Sequence, residues 1–132
     1  MGRRVILDAT ALIDYERGRV DRSSLDDDDI AIAAITVAEY RTGIELADTA
    51  ERSATRARAL ATIVDLVDVL AYTEATAAHH ARLLAHTRRT GRPRGAHDLV
   101  IAAHAAQTER LLLSRDAAAR FGDLPGVQAE QI

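Results

Sequence analysis

The segment that most constrains the fold is Val5-Ile6-Leu7-Asp8, near the start of the chain. Three consecutive aliphatic residues predict a strand buried on both faces, as in a parallel sheet covered by helices. Asp8 follows directly, so it falls at the carboxyl end of that strand, where open α/β sheets place their ligands. A carboxylate at this position either caps the next helix or belongs to a functional site. Both interpretations stay open at this point.

Apolar runs alternate with helical patterns along the rest of the chain. Further strands are predicted at 30–35, 67–72 and 111–114, with a terminal strand from Val127. Helices are predicted from Ala11 to Gly18 and at 36–44, 48–64, 74–89 and 96–109. Thr36 and Glu39 match a capping box at the start of the second helix. The alternation predicts an α/β fold with a mainly parallel central sheet of four to five strands flanked by helices.

The composition limits the chemistry that the chain can perform. It has no cysteine, which excludes disulfides, thiolate metal sites and cysteine nucleophiles. All 17 basic residues are arginine, so a Walker-type phosphate loop and Schiff-base catalysis lack their lysine. No window approaches the ~20 apolar residues of a membrane span. We therefore expect one cytoplasmic domain over residues 1–132, with no membrane segment.

Acidic residues occupy equivalent places after strands or at the starts of helices. These candidates are Asp8, Glu39, Asp98 and Asp116. Each one alone is explained by helix capping, which contributes ~1 kcal/mol. Four carboxylates within a few ångströms would instead repel one another by up to about 4 kcal/mol per pair at an effective dielectric near 20. A cluster of this kind needs protons or a cation, and its hard oxygen ligands suit Mg²⁺ or Mn²⁺.

Four sequence blocks carry a resemblance to a known family. The blocks are VILDATALID at 5–14, ITVAEYRTGI at 35–44, DLVIAAHA at 98–105 and LSRD at 113–116. In this order and spacing, and with the ending FGDLPGV at 121–127, they resemble the PIN-domain nucleases, and most closely the VapC-type ribonuclease toxins of toxin–antitoxin pairs. Ala9 departs from the family pattern, which often has threonine or serine there. The resemblance implies a three-layer PIN-like fold.

The resemblance also implies an activity and a set of site residues. The implied activity is that of a Mg²⁺-dependent endoribonuclease (Mn²⁺ is an alternative), often homodimeric and inhibited by a cognate antitoxin. Asp8 and Asp98 would be the main metal ligands, and Glu39 and Asp116 would complete the acidic quartet, with Asp116 counted as a further ligand. The hydroxyls of Thr10 and Ser114 would support these ligands. The implied mechanism is in-line attack of metal-activated water on an RNA phosphodiester, leaving a 5′-phosphate and a 3′-hydroxyl.

Charged residues outside the quartet give weaker predictions. Arginines can grip phosphate bidentately, and the candidates for RNA contacts are Arg88, Arg89, Arg92, Arg94 and Arg115. His97 adjoins Asp98 but points about 100° away on a helix, so it is predicted at the rim of the site and not as a ligand. Asp14 and Glu16 are predicted on the exposed part of the first helix.

Three rival functions remain open for these residues. A phosphoaspartyl switch or phosphatase would also use an acid at a strand end, but a receiver needs a lysine and such phosphatases need an acid where Thr10 stands. An inactive PIN fold that serves as an interaction module is disfavoured because all four acids are present. A DNA-directed nuclease of the same fold is not excluded, because acids alone do not read the 2′-hydroxyl.

Overall fold

A five-stranded parallel sheet forms the centre of the computed structural model, which describes residues 2–132. The strands are β1 (Arg4–Leu7), β2 (Asp29–Ala33), β3 (Asp68–Leu70), β4 (Leu111–Ser114) and β5 (Ala129–Gln131), in the order β3-β2-β1-β4-β5. All four pairings are parallel, with Leu7 opposite Ile32 on one side and Leu113 on the other. The α/β class and the parallel sheet are therefore confirmed.

Helices cover both faces of this sheet. They are α1 (Ala9–Glu16), α2 (Ala34–Glu45), α3 (Ala50–Leu66), α4 (Glu74–Thr90) and α5 (Ala96–Thr108). Side chains alternate along a strand, so Val5 and Leu7 join Leu12 and Ile63 in a core against α1 and α3. Ile6 points the other way, into a core that contains residues of α4 and α5. The result is the three-layer arrangement that the resemblance implied.

Several helix boundaries agree with the sequence patterns and one does not. The helix α4 begins at Glu74, as predicted, and Thr73 caps it through a hydrogen bond from Thr76 N. The capping box proposed for the second helix is wrong, because α2 already begins at Ala34 and its N-cap, Ala33, has no side-chain hydrogen bond. Thr36 is consequently the third residue of α2, fully buried, and Glu39 lies in the second turn. Alanine is a strong helix former, so the helix starts as soon as β2 ends.

The remaining differences lie at the periphery. The strand predicted at 67–72 is only three residues long, because β3 is an edge strand that pairs with β2 alone. The segment between α1 and β2 contains a 3₁₀ turn, Arg22–Leu25, and β2 begins at Asp29. Among residues 2–132, no helix has both the length and the apolar character that crossing a membrane requires. Met1, where the predicted domain begins, lies outside the described residues.

Candidate active site

Asp8 is the most buried of the four acids at the carboxyl edge of the sheet. It caps α1, with Oδ1 accepting hydrogen bonds from Ala11 N (2.9 Å) and Thr10 Oγ1 (2.6 Å). Its other oxygen, Oδ2, accepts a hydrogen bond from Ser114 Oγ at 2.5 Å. The residue is only 3% exposed. Asp8 is therefore a cap and a buried carboxylate held from two directions, by α1 and by the end of β4.

The other acids reach the same edge from three further segments. Asp98 lies in the first turn of α5, as predicted, and Asp116 caps a 3₁₀ turn, Ala117–Ala119, just after β4. A Cβ atom at position 95 would lie 3.1 Å from Asp98 Oδ2, so Gly95 leaves the space that this carboxylate occupies. Glu39 approaches from α2, where its side chain is 32% exposed. The parallel sheet thus brings all four predicted acids towards one edge.

The charges of these acids act on one another. Burial raises the pKa of Asp98, and the carboxylates of Asp8 and Asp116 raise it further, while His97 and Arg94 lower it. Burial also raises the pKa of Glu39; His97 opposes this effect, and Asp98 and Asp8 add to it. Both carboxyls therefore resist ionisation, which is the behaviour expected where like charges share a partly dry site.

The acids do not form a ready-made ligand sphere. Within residues 2–132, no three His, Cys, Asp or Glu side chains are arranged so that they could hold a metal ion together. One oxygen of Glu39, Oε1, is nevertheless buried without a hydrogen-bond partner among the described residues. A buried carboxylate oxygen of this kind is costly unless something else satisfies it. Its environment suits a cation or a proton.

His97 contacts this acid cluster, which the sequence pattern did not indicate. The His97 side chain is 56% exposed, in agreement with a place at the rim. Its Nδ1 atom lies 3.4 Å from Glu39 Oε1, close enough for an ion pair when the imidazole is protonated, although the geometry does not make a hydrogen bond. The only sequence signal was its position beside Asp98 in the first turn of a helix.

Thr36 is a second residue that the sequence assigned to another role. Its Oγ1 atom is buried without a hydrogen-bond partner in the described part of the chain. Together with Ala9, Leu12 and Glu39 it lines a cavity of about 140 Å³ between α1 and α2. The cavity connects the first turn of α1, next to Asp8, with Glu39. A helical spacing of three residues between Thr36 and Glu39 was the available signal.

The five candidate arginines divide into two groups. Arg88 and Arg89 end α4 and Arg92 follows it, and all three are exposed. Arg94 instead donates Nη1 hydrogen bonds to the carbonyl oxygens of Ala119 (2.7 Å) and Arg120 (2.8 Å).

Arg115, the fifth candidate, is also engaged within the protein. Its Nε donates to Asp14 Oδ2 at 3.0 Å. Asp14 was predicted to lie on the exposed part of the first helix, but its side chain is only 19% accessible. The sequence carried no local signal for this contact, because the two residues are 101 positions apart.

Known proteins are similar to this chain in sequence and architecture. A family model described as PIN domain matches residues 5–125. Ribonuclease VapC5 of Mycobacterium tuberculosis is 32% identical over 111 residues, which cover 84% of this chain and 82% of that protein. The crystal structure of VapBC-5 from M. tuberculosis, a member of the VapBC family of toxin–antitoxin systems, superposes with a TM-score of 0.79 at 28% identity, covering 98% of this chain and 97% of that one. VapBC2 from Rickettsia felis, bound to a DNA fragment from its promoter, gives a TM-score of 0.85 at 18% identity over 98% of both chains, a likeness of fold alone.

Proposed function

Because the chain belongs to the PIN-domain family and is a VapC-type member of it, we propose that it is a metal-dependent endoribonuclease and the toxin of a toxin–antitoxin pair. One observation carries the proposal: four carboxylates from separate segments, Asp8, Glu39, Asp98 and Asp116, lie at one sheet edge, where burial and neighbouring carboxylates raise the pKa values of Glu39 and Asp98. Capping explains Asp8 and Asp116 individually, and the helix dipole favours Asp98 in the first turn of α5, but neither effect explains their convergence.

The donor set fits a hard divalent cation. Carboxylate oxygens without thiolate ligands suit Mg²⁺, with Mn²⁺ as a substitute. Asp8, Asp98 and Asp116 are the proposed ligands, and because they do not form a ligand sphere as they stand within residues 2–132, binding requires their side chains to move closer together. The Oε1 atom of Glu39, which has no hydrogen-bond partner among the described residues, would add a further acceptor. When bound, the cation supplies positive charge to the phosphodiester and lowers the pKa of water.

Residues of the chain itself would orient the metal ligands and accept a proton during in-line hydrolysis. Thr10 and Ser114 fix the orientation of Asp8 through hydrogen bonds to its two oxygens. Burial and like charges raise the pKa of Glu39, so it is the candidate to accept the proton of the attacking water. The water oxygen bonds to phosphorus and the 3′-oxygen leaves with a proton, which yields a 5′-phosphate and a 3′-hydroxyl.

RNA binding is assigned to the exposed arginines. The guanidinium groups of Arg88, Arg89 and Arg92 make no hydrogen bond or ion pair within residues 2–132, so they are available to phosphate oxygens. The two engaged arginines, Arg94 and Arg115, are less suited to this role because their donors already bind protein oxygens.

An antitoxin partner is supported by the similarity to VapBC complexes and by the surface beside the site. A groove of about 350 Å³ runs between α1, α2 and α3, and Ile13, Tyr40 and Arg56 are among its lining residues. The groove ends at Glu39, so a peptide segment bound there would contact the acid cluster. Occupation of this groove is a direct route to inhibition.

A homodimer is proposed as well. Large apolar side chains stay exposed near the end of α3 and along edge strand β3: Leu66 (74%), Val69 (43%) and Tyr72 (49%). Exposed apolar residues grouped in this way are typical of protein contacts. Light scattering coupled to size-exclusion chromatography, with Leu66→Ser and Val69→Ser as dissociating changes, tests the dimer.

Cleavage of labelled RNA and of DNA of the same sequence tests the activity. We expect Mg²⁺-dependent cleavage of RNA that is lost with EDTA and in Asp8→Asn, which keeps the cap but loses the charge. The matched control is Asp65→Asn, a change at an exposed aspartate of α3. Cleavage that persists in Asp8→Asn or in EDTA contradicts the metal site. Cleavage of DNA alone contradicts the toxin ribonuclease, and cleavage of neither, with Mn²⁺ binding also absent, leaves an interaction module.

A further inference from the structure

Arg115 joins two distant parts of the chain beside the acid cluster. Its side chain donates from Nε to Asp14 Oδ2 in α1 (3.0 Å) and from Nη1 to the carbonyl oxygen of Ile132 after β5 (2.7 Å). The amide of Ile132 in turn donates to the Ser114 carbonyl at 2.9 Å. The Arg115 side chain, 36% exposed, is therefore committed to protein oxygens on both sides of the turn after β4.

The backbone of the same residue lies within the hydrogen bonds that hold Asp8. The amide of Arg115 donates to Thr10 Oγ1 at 2.9 Å, and Thr10 Oγ1 donates to Asp8 Oδ1. The next amide, that of Asp116, donates to Ser114 Oγ at 3.0 Å, and Ser114 Oγ donates to Asp8 Oδ2. Two hydroxyls thus connect the turn that carries Asp116 to the two oxygens of Asp8.

The Asp14–Arg115 pair and the hydrogen bond to the Thr10 hydroxyl both lie on one face of α1. Thr10 and Asp14 are four residues apart on α1, so they lie on the same face of the helix. Arg115 meets both of them, Thr10 with its amide and Asp14 with its guanidinium. A turn fixed at two points along one helix face cannot rotate about either contact alone.

We infer that the Asp14–Arg115 pair is a positioning device that sets where the Asp116 carboxylate lies relative to Asp8. The inference deepens the proposed function, on which its metal-binding consequence rests. It also reassigns Arg115 from a candidate RNA contact to a positioning residue. Asp14, which was predicted to be an exposed residue of the first helix, becomes the second positioning residue.

The structure offers a matched control for this pair. Arg19 also approaches Asp14, with Nη1 3.6 Å from Oδ1, but its side chain is 62% exposed. Within the described residues, Arg19 makes no hydrogen bond or ion pair with Thr10 or with the turn after β4. Arg19→Gln therefore removes one positive charge near the same carboxylate and leaves the turn untouched.

The experiment compares Asp14→Asn, Arg115→Gln and Arg19→Gln in the full chain. Amide hydrogen exchange measured by NMR without metal reports directly on the turn, because the amides of Arg115 and Asp116 are both hydrogen-bonded to hydroxyls. We expect these two amides to exchange faster in Asp14→Asn and Arg115→Gln, and to be unchanged in Arg19→Gln. Unchanged exchange in both pair variants overturns the inference.

Calorimetric titration with Mn²⁺ supplies the second measurement. Loss of residues that orient metal ligands typically weakens metal affinity by roughly 10- to 100-fold, and we expect about 10-fold for each pair variant. The double variant should be no weaker than the single variants, because either change breaks the same contact. Additive losses, or full affinity in a pair variant, contradict a shared positioning role.

RNA binding measured at several salt concentrations distinguishes a positioning role of Arg115 from a direct contact with phosphate. If Arg115 contacts RNA, Arg115→Gln lowers the salt dependence of RNA binding by about one unit of slope while Asp14→Asn does not. Under the inference, neither change alters that slope, and Arg115→Lys restores part of the Mn²⁺ affinity. A wild-type chain that neither binds Mn²⁺ nor cuts RNA refutes the proposed function, and the amide exchange still decides the positioning.

Discussion

Replacement of Ser114 by alanine tests how strongly the protein depends on the buried hydroxyl beside Asp8. Ser114 is 4% exposed, its Oγ donates to Asp8 Oδ2 at 2.5 Å, and it accepts the amide hydrogen of Asp116 at 3.0 Å. A hydrogen bond to a charged group contributes about 1.5–3 kcal/mol, and its loss leaves a buried acceptor unsatisfied. We expect Ser114→Ala to lower the free energy of unfolding by about 2–3 kcal/mol, mainly through its carboxylate bond.

The measurement is urea denaturation at pH 7 in EDTA, supported by thermal unfolding. At about 3–4 °C per kcal/mol for a chain of this size, Tm should fall by roughly 8 °C. Ser24→Ala is the control, since Ser24 is exposed and, among residues 2–132, its hydroxyl bonds only to the Asp21 carbonyl. Changes at such surface positions usually remain within about 0.5 kcal/mol.

A double-mutant cycle with Asp8→Asn isolates the carboxylate bond. An amide at position 8 still hydrogen-bonds Ser114, but a neutral bond contributes only about 1 kcal/mol. Ser114→Ala should therefore destabilise the Asp8→Asn protein by about 1 kcal/mol, less than half of its effect in the wild type. An equal loss in both backgrounds would refute the reasoning, because the charge of Asp8 would then contribute nothing to the bond.

Three further substitutions test the electrostatics of the fold. In EDTA, Asp98→Asn should raise the free energy of unfolding at pH 7, because burial and the charge of Asp8 raise the pKa of Asp98. Urea titrations should show no increase in this free energy below about pH 4, where the carboxyl is protonated in both the folded and the unfolded state. The increase should grow as the pH rises through the pKa of the folded state. His104→Leu should reduce the loss of stability between pH 7 and pH 5, because burial lowers the pKa of His104 and only the unfolded chain takes up the proton readily below about pH 6.5. Arg110→Met should cost about 2 kcal/mol in guanidinium denaturation, because the buried guanidinium donates to the carbonyl oxygens of Val5 and Asp29.

The sequence patterns correctly predicted the strands that form the buried centre of the sheet. Unbroken aliphatic runs identified β1 and β4, and the parallel order of the strands followed from their alternation with helices. Asp8 was placed correctly at the end of β1 because strand ends and helix caps are local features. Register and strand length at the edge were less predictable, since β3 has one neighbour and its limits depend on that pairing.

Contacts between distant segments were harder to predict. The Asp14–Arg115 ion pair joins residues 101 positions apart, so no local pattern reports it. Arg115 was predicted to contact RNA because a guanidinium group can bind phosphate. In the fold, the end of β5 instead provides protein oxygens for its side chain. Whether an arginine binds protein or ligand depends on which oxygens the fold places within hydrogen-bonding distance.

The misplaced start of α2 bears on the meaning of Glu39. A glutamate at the third position of a helix has an adequate structural explanation, because it completes a capping box. In the second turn Glu39 caps nothing, and its buried Oε1 atom has no hydrogen-bond partner within residues 2–132. An apolar side chain there would avoid both this desolvation and the repulsion from Asp98 and Asp8 that raises the pKa of Glu39. The correction therefore removes the capping explanation for this acid, and the proposed cation site, together with His97 Nδ1 at 3.4 Å from Oε1, gives the carboxylate a role at this position.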